Sequence, residues 1–152
     1  ITNMLVEVGG EGVALGRNVR ENRPWEIGIL DPASTRDNLF FKAYVSLENK
    51  SFTTSGNYFN YRVVDGVKYS HSIDPSTGYP SQQQILSASV FCKDGITADA
   101  WATALMVMGH EKAIELLSSR DDLDGFIIYS DKDGQVKTYI TPGIAPFLTF
   151  NE

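Results

Sequence analysis

The sequence is nearly devoid of cysteine and has few basic side chains, and each shortage excludes a class of protein. Cys92 is the only cysteine in 152 residues, so an internal disulfide and a multi-thiolate zinc site are excluded. It lies in an apolar run, which predicts an inert thiol in the core. Thirteen lysines and arginines stand against 19 acidic residues, for a net charge of -6. Because this charge repels phosphate polymers, we expect no nucleic-acid partner.

Long hydrophobic runs, a histidine-rich metal site and the phosphate-binding P-loop signature are also missing. The longest apolar run, around residues 104–108, is far below the roughly 20 residues that a membrane helix needs. Two histidines, His71 and His110, are too few for a histidine-rich metal site, and no GxxxxGK[ST] segment occurs. The composition is that of an ordinary globular protein. We therefore predict a soluble chain that forms one domain over residues 1–152.

Short runs of β-branched and aromatic residues, separated by turn residues, predict strands over much of the chain. The predicted strands cover residues 4–8, 12–15, 25–30, 40–47, 58–64, 67–72, 85–91, 125–129 and 136–140. Asp65-Gly66 is the predicted turn of a hairpin. Helices are predicted at 97–108, capped by Thr97 and ended by Gly109, and at 111–119. Many strands around one helical pair indicate an α+β fold, with a mainly antiparallel sheet and the helices packed on one face.

The segment from His71 to Pro80 reads HSIDPSTGYP and is not fully explained by structure alone. Pro75 restricts Asp74 to an extended conformation, and Gly78 allows a close backbone approach. One interpretation is a turn in which Asp74 bonds its own backbone. The other is functional, because a histidine that titrates near neutral pH stands just before the turn.

Asp99 and Thr103 lie four residues apart in the first predicted helix and therefore share one face. A carboxylate and a hydroxyl oxygen in this arrangement can bind the same hard cation. The alternative is that Asp99 lies in the first helical turn and complements the helix dipole. The spacing alone leaves both interpretations open.

Four motifs taken together resemble one family. They are VGGE at residues 8–11, TSGNY at 54–58, HSIDPSTGYP at 71–80 and TADAWATAL at 97–105. Their identity and order resemble the ApbE family of FAD:protein FMN transferases. The resemblance implies a T-fold-like α+β protein and a magnesium-dependent enzyme that transfers FMN from FAD to a threonine of a target protein and releases AMP. An FAD pyrophosphatase that yields FMN and AMP, or a non-catalytic flavin-binding or protein-binding module, are the alternatives.

The resemblance also implies roles for particular residues. Asp99 and Thr103 match the magnesium ligands, and His71 matches the histidine proposed to take the proton from the acceptor threonine. Ile73 matches a position that contacts FAD. The remaining expected FAD contacts come from the two glycine-containing motifs and are Gly9, Gly10, Glu11, Ser55 and Gly56.

The resemblance further implies a larger parent protein. The chain matches the carboxy-terminal portion of a family member, and the upstream half is expected to be absent. The apolar face left exposed could be covered by self-association with a second copy of the chain or by a separate amino-terminal piece. Family members are generally exported and are often lipoproteins tethered to the membrane, which implies a location in the periplasm or on the outer face of the cytoplasmic membrane. Their targets in protein flavinylation are typically flavin-carrying subunits of membrane electron-transfer complexes.

Overall fold

The computed structural model describes residues 1–57, 61–64, 67–70, 72–81 and 84–151. The helices are α1 (Gly95–Met108) and α2 (His110–Ser118), and a short 3-10 helix spans Ala145–Phe147. The strands are β1 (Met4–Val8), β2 (Glu11–Leu15), β3 (Trp25–Leu30), β4 (Phe41–Leu47), β5 (Lys50–Gly56), β6 (Tyr61–Val64), β7 (Val67–Ser70), β8 (Ile73–Asp74), β9 (Tyr79–Pro80), β10 (Ile85–Cys92), β11 (Asp124–Ser130), β12 (Val136–Ile140) and β13 (Leu148–Phe150).

Six strands form the main sheet in the order β1-β2-β5-β10-β11-β12, and each neighbouring pair is antiparallel. A smaller antiparallel sheet has the order β13-β4-β3. The helices pack on one face of the main sheet and the smaller sheet packs on the other, so the main sheet is covered on both faces. This arrangement confirms the predicted α+β fold.

The side-chain pattern of the central strands explains why the sheet needs a layer on each side. In β10, Ala88 and Val90 pack in the helix-side core, whereas Phe91 packs in the core under the smaller sheet. In β11, Ile127 and Ile128 divide in the same way. Successive side chains of a strand point to opposite faces, so an almost continuous apolar run requires burial on both.

Helix α1 begins earlier than the sequence predicted. The Oδ1 atom of Asp94 accepts a hydrogen bond from the backbone N–H of Thr97 at 2.9 Å. Asp94 is therefore the capping residue and Thr97 is the donor, which corrects the prediction that Thr97 caps the helix. Gly109 ends α1 as predicted, with a φ of 84°.

The central strand β5 was not predicted. It lies between β2 and β10, and its sequence KSFTTSG lacks the alternation of apolar residues that marks a strand. Strand β13 was also missed. Strands β6 and β7 pair with Val64 opposite Val67, in agreement with the predicted hairpin, while Asp65 and Gly66 lie outside the described residues.

The described residues also bear on the expectations for Cys92 and for membrane-spanning helices. Cys92 is buried in the helix-side core, and burial raises the pKa of its thiol, as an inert core cysteine requires. Of the helices in the described ranges, none has both the length and the apolar character needed to cross a membrane.

Candidate functional site

The candidate cation-binding pair lies on helix α1. Asp99 and Thr103 are both exposed and stand one turn apart, while Ala98 and Ala102 of the same helix are fully buried against the sheet. The buried alanines allow the helix to approach β5 closely. As a result, the Oγ atom of Ser55 on β5 lies 3.3 Å from the Oγ1 atom of Thr103, within hydrogen-bond distance.

The position of Asp99 in the helix tests one of its two interpretations, complementarity to the helix dipole. Because α1 begins at Gly95, Asp99 lies in the second turn, and the first turn holds no acidic residue. The attraction between a carboxylate and a helix dipole falls off beyond the first turn. The prediction that Asp99 lies in the first turn is therefore wrong, and complementarity to the dipole does not account for this carboxylate.

The donor chemistry of this pair fits magnesium. A carboxylate and a hydroxyl are hard oxygen donors, and magnesium binds through one or two carboxylates together with substrate phosphates and water. Within the described ranges, no cluster of three or more histidine, cysteine, aspartate or glutamate side chains could hold a metal ion. The pair therefore fits a cation shared with a phosphate ligand rather than one enclosed by protein side chains.

A cleft of about 360 Å³ opens between the two sheets, on the opposite side of β5 from Thr103. Gly9, Gly10 and Gly56 line it, together with Glu7, Ile27, Gly28, Leu30, Leu39, Phe41, Phe52 and Thr54. Gly9 and Gly10 form the β1–β2 turn with positive φ angles of 67° and 98°. The backbone N–H of Thr54 donates to the Gly10 carbonyl at 3.3 Å, which fixes this turn against β5.

The structure thus brings three of the predicted FAD contacts together and separates two others. Gly9, Gly10 and Gly56 share the cleft. Glu11 lies in β2 opposite Thr53, and the Ser55 side chain contacts the helix. Because adjacent residues of a strand point to opposite faces, Ser55 and Gly56 serve different surfaces although they belong to one motif.

The turn that follows His71 has the geometry of the structural interpretation. Strand β8 pairs with β9, and Asp74 Oδ1 accepts hydrogen bonds from the backbone N–H and the hydroxyl of Ser76, at 2.9 and 2.7 Å. The Ser76 hydroxyl bond, followed by the backbone bond, lowers the pKa of Asp74. Asp74 therefore remains ionised and shapes the turn.

Two predicted site residues precede this turn in the sequence, and the structure describes one of them. Ile73 is 51% exposed in β8, which contacts helix α1. A half-exposed isoleucine beside the helix that carries Thr103 is available to a ligand. His71 lies outside the described residues.

The fold first places the chain in a structural class. It matches a solved structure of the flavin transferase ApbE from Vibrio cholerae with a TM-score of 0.79 and 36% identity, over 96% of this chain and 44% of that one. The class is that of the flavin transferases of the ApbE type. The ApbE family model also matches residues 1–127, and the chain belongs to the ApbE family.

Curated relatives agree with this assignment. A protein from Haemophilus influenzae named FAD:protein FMN transferase is 37% identical over 134 residues, which is 88% of this chain and 38% of that protein. A protein of the same name from Salmonella typhimurium is 37% identical over 97% of this chain and 41% of its own length. The chain therefore spans about two fifths of the length of these relatives.

Sequence reasoning missed the contact between Ser55 and Thr103. The residues are 48 positions apart, and the motif containing Ser55 was interpreted through its glycine. Recognition of β5 as a strand would have indicated that Thr54 and Gly56 share one face while Ser55 lies on the other. That alternation is the signal that could have separated a cleft residue from a helix-facing one.

Proposed function

We propose that the whole protein transfers FMN from FAD to a threonine of a target protein in a magnesium-dependent reaction that releases AMP. The observation that carries this proposal is the exposed Asp99–Thr103 pair in a chain that belongs to the ApbE family. The naming of its relatives as FAD:protein FMN transferases supports the same reaction class.

Asp99 and Thr103 would hold the magnesium ion through a carboxylate and a hydroxyl oxygen. A bound magnesium ion neutralises charge on a pyrophosphate group. Asp99 supplies a negative charge from the protein, and Thr103 adds a neutral oxygen, so the site stays open to a phosphate oxygen. Both side chains are exposed, which leaves room for a dinucleotide beside the helix.

The transfer itself exchanges one phosphorus–oxygen bond for another. The threonine hydroxyl oxygen of the target attacks the FMN phosphorus, the pyrophosphate bond breaks, and AMP leaves with the bridging oxygen. His71 accepts the hydroxyl proton as the general base, a role that suits an imidazole near neutral pH. The assignment of His71 rests on its place in the motif that leads into the β8–β9 turn.

FAD contacts are proposed at two places. Gly9, Gly10 and Gly56 line the cleft between the sheets, where the absence of side chains permits a close approach of the backbone. Ile73 offers apolar surface beside α1. Glu11 is proposed as a contact from its motif, and its exposed position in β2 leaves its carboxylate accessible.

The test is to incubate the full-length protein with FAD, MgCl2 and a threonine-containing acceptor protein, and to measure covalent FMN and free AMP. Equal amounts of covalent FMN and AMP support the transferase. Free FMN and AMP without covalent product would instead indicate an FAD pyrophosphatase. No product in the presence of bound FAD would contradict both reactions and leave a binding module.

The acceptor is proposed to be a flavin-carrying subunit of a membrane electron-transfer complex. The protein is proposed to act outside the cytoplasm as a lipid-tethered protein, in the periplasm or on the outer face of the cytoplasmic membrane. The resemblance to the family supports these two proposals, and fractionation of cells that express the full-length protein checks the location. Self-association of the chain stays a prediction, which sedimentation velocity checks.

A further inference from the structure

The hydroxyl of Thr103 has a partner outside its own helix. A threonine hydroxyl in a helix commonly bonds the backbone carbonyl one turn earlier, which here belongs to Asp99. Instead, Ser55 Oγ on strand β5 lies 3.3 Å from Thr103 Oγ1. Either atom can donate this hydrogen bond.

Cation binding would decide which hydroxyl donates. A hydroxyl carries one proton and two lone pairs, and it binds a cation through a lone pair. Its proton must then point elsewhere and needs an acceptor. Ser55 Oγ is placed to accept the Thr103 proton, which leaves the lone pairs of Thr103 for the cation.

We propose that Ser55 is a positioning residue that orients the Thr103 hydroxyl for magnesium. This inference rests on the proposed function and deepens its cation site. Ser55 acts through Thr103 and is not itself a ligand. Groups that hold the ligands of a metal ion in this way contribute substantially to its affinity.

The backbone around Ser55 is well suited to this role. Ser55 pairs with Ala88 of β10 in the middle of the main sheet, and Thr54 before it is hydrogen-bonded to Gly10. The Ser55 main chain is therefore held by neighbouring segments. Thr103 lies on a helix that packs against the same strand. A fixed strand and a packed helix preserve the distance between the two hydroxyls better than two loops could.

The position of Ser55 also separates this role from a contact with the nucleotide. Thr54 and Gly56 line the cleft, whereas the Ser55 side chain contacts α1 on the other face of β5. A positioning role predicts weaker metal binding with unchanged affinity for FAD. A nucleotide contact predicts the reverse.

The test uses full-length protein saturated with FAD, with Mn²⁺ as the probe that stands in for Mg²⁺ and free Mn²⁺ measured by electron paramagnetic resonance. Ser55→Ala should raise the Kd for Mn²⁺ about tenfold, the scale seen when support of a metal ligand is lost. Ser55→Thr keeps a hydroxyl and should stay within about twofold of the parent. FAD affinity, measured without metal by flavin fluorescence, should be unchanged.

Ser51→Ala is the matched control. Ser51 lies on the same strand, and its hydroxyl contacts the Lys93 carbonyl at 3.5 Å. Removing this hydroxyl should leave the Mn²⁺ affinity unchanged. Circular dichroism checks folding, and if Ser55→Ala does not fold, Ser55→Cys replaces it, because a thiol is a weaker acceptor that should also raise the Kd.

Kinetics and a double mutant add independent readouts. Ser55→Ala should raise the magnesium concentration needed for half-maximal rate while kcat at saturating magnesium stays within about threefold, because the missing group orients a ligand and does not react. In a Thr103→Val background, Ser55→Ala should cause no further loss of Mn²⁺ affinity, because the two hydroxyls act as a unit.

Each unexpected result would contradict a different part of the proposal. If Thr103→Val weakens Mn²⁺ binding and Ser55→Ala does not, the positioning role is overturned and the proposed cation site stands. If Ser55→Ala lowers FAD affinity alone, Ser55 contacts the nucleotide and the inference is wrong. If neither Asp99→Ala nor Thr103→Val weakens Mn²⁺ binding, the cation site of the proposed function is itself wrong, and the inference falls with it.

Discussion

The two faces of strand β5 carry hydroxyl groups with different partners. On the cleft face, Thr54 Oγ1 lies 2.8 Å from Ser89 Oγ of β10, a neighbour in the same sheet. On the helix face, Ser55 Oγ lies 3.3 Å from Thr103 Oγ1, in a different layer. The first pair joins two strands of one sheet, whereas the second connects the sheet to a residue proposed as a cation ligand. Adjacent residues of one motif can therefore differ entirely in what they support.

The largest expected effect is on the helix face. Asp99→Ala removes the charged member of the proposed cation pair and should lower magnesium-dependent FAD cleavage by about 100-fold or more. Asp99 is exposed, so the melting temperature should stay within about 2 °C. AMP release and thermal unfolding measure the two effects. The control is Glu115→Ala, which removes an exposed carboxylate from α2 and should change neither AMP release nor the melting temperature. Full cleavage activity in Asp99→Ala would contradict the assignment of Asp99 as a metal ligand.

His71→Ala separates proton transfer from cation binding. Loss of a general base should lower FMN transfer by about 100-fold. Mn²⁺ affinity should be unchanged, because imidazole is a poor ligand for magnesium-type sites. The control is His110→Phe, which keeps a ring stacked on Tyr129, where the ring centroids are 4.4 Å apart. A parallel loss of Mn²⁺ binding in His71→Ala would require a different role for this histidine.

A substitution on the cleft face of the main sheet should mainly lower the free energy of unfolding. A Cβ atom at Gly12 would lie 2.5 Å from both the Phe52 ring and the Val6 carbonyl oxygen. Gly12→Ala should therefore destabilise the protein by about 1–3 kcal/mol, the usual cost of overpacking, measured by urea unfolding. Gly95→Ala is the control, since among the described residues nothing lies within 4 Å of the added carbon. Equal stability of the two variants would show that both the Phe52 ring and the β1 backbone at Val6 shift at little cost.

The smallest expected effect is at the start of α1. Asp94→Ala removes the hydrogen bond to the Thr97 N–H and should lower the melting temperature by a few degrees at pH 7. That bond lowers the pKa of Asp94. A lowered pKa stabilises the fold above the ordinary value near 3.9, and the stabilisation is lost as the pH falls through the folded-state pKa.

The difference between Asp94→Ala and the parent should therefore shrink in acid, to the part that a neutral carboxyl cap still contributes. Thermal unfolding followed by circular dichroism between pH 7 and pH 2 measures it. Asp94→Asn is the control, because it keeps a capping oxygen without the titration. A difference that persists unchanged at the lowest pH would show that the charge of Asp94 does not contribute.

The sequence was sufficient for those elements whose residues are typical of one structure. Strands β3 and β12 have the predicted bounds, Trp25–Leu30 and Val136–Ile140. Runs of branched and aromatic residues ended by turn residues made them recognisable. Helix α1 was found for a similar reason, although its start was misplaced because Thr97 and Asp94 are both residues that favour a cap.

The parts that were missed depend on tertiary structure. Strand β5 is rich in serine and threonine, and its place comes from pairing with β2 and β10 rather than from its own pattern. The position of Asp99 one turn from Thr103 on α1 followed from helical spacing, but the Ser55 contact required the packing of α1 on β5. Short-range periodicity cannot reveal which strand a helix packs on.

Helices α1 and α2 share a single residue at their junction, and this has a mechanical consequence. Gly109 is buried, ends α1 and precedes α2 directly, with φ of 84° and ψ of 162°. The angle between the helix axes therefore depends on two backbone torsions rather than on the many torsions of a loop. A substitution at Gly109 that cannot adopt these torsions would therefore change the orientation of α2 relative to α1, the helix that carries Thr103.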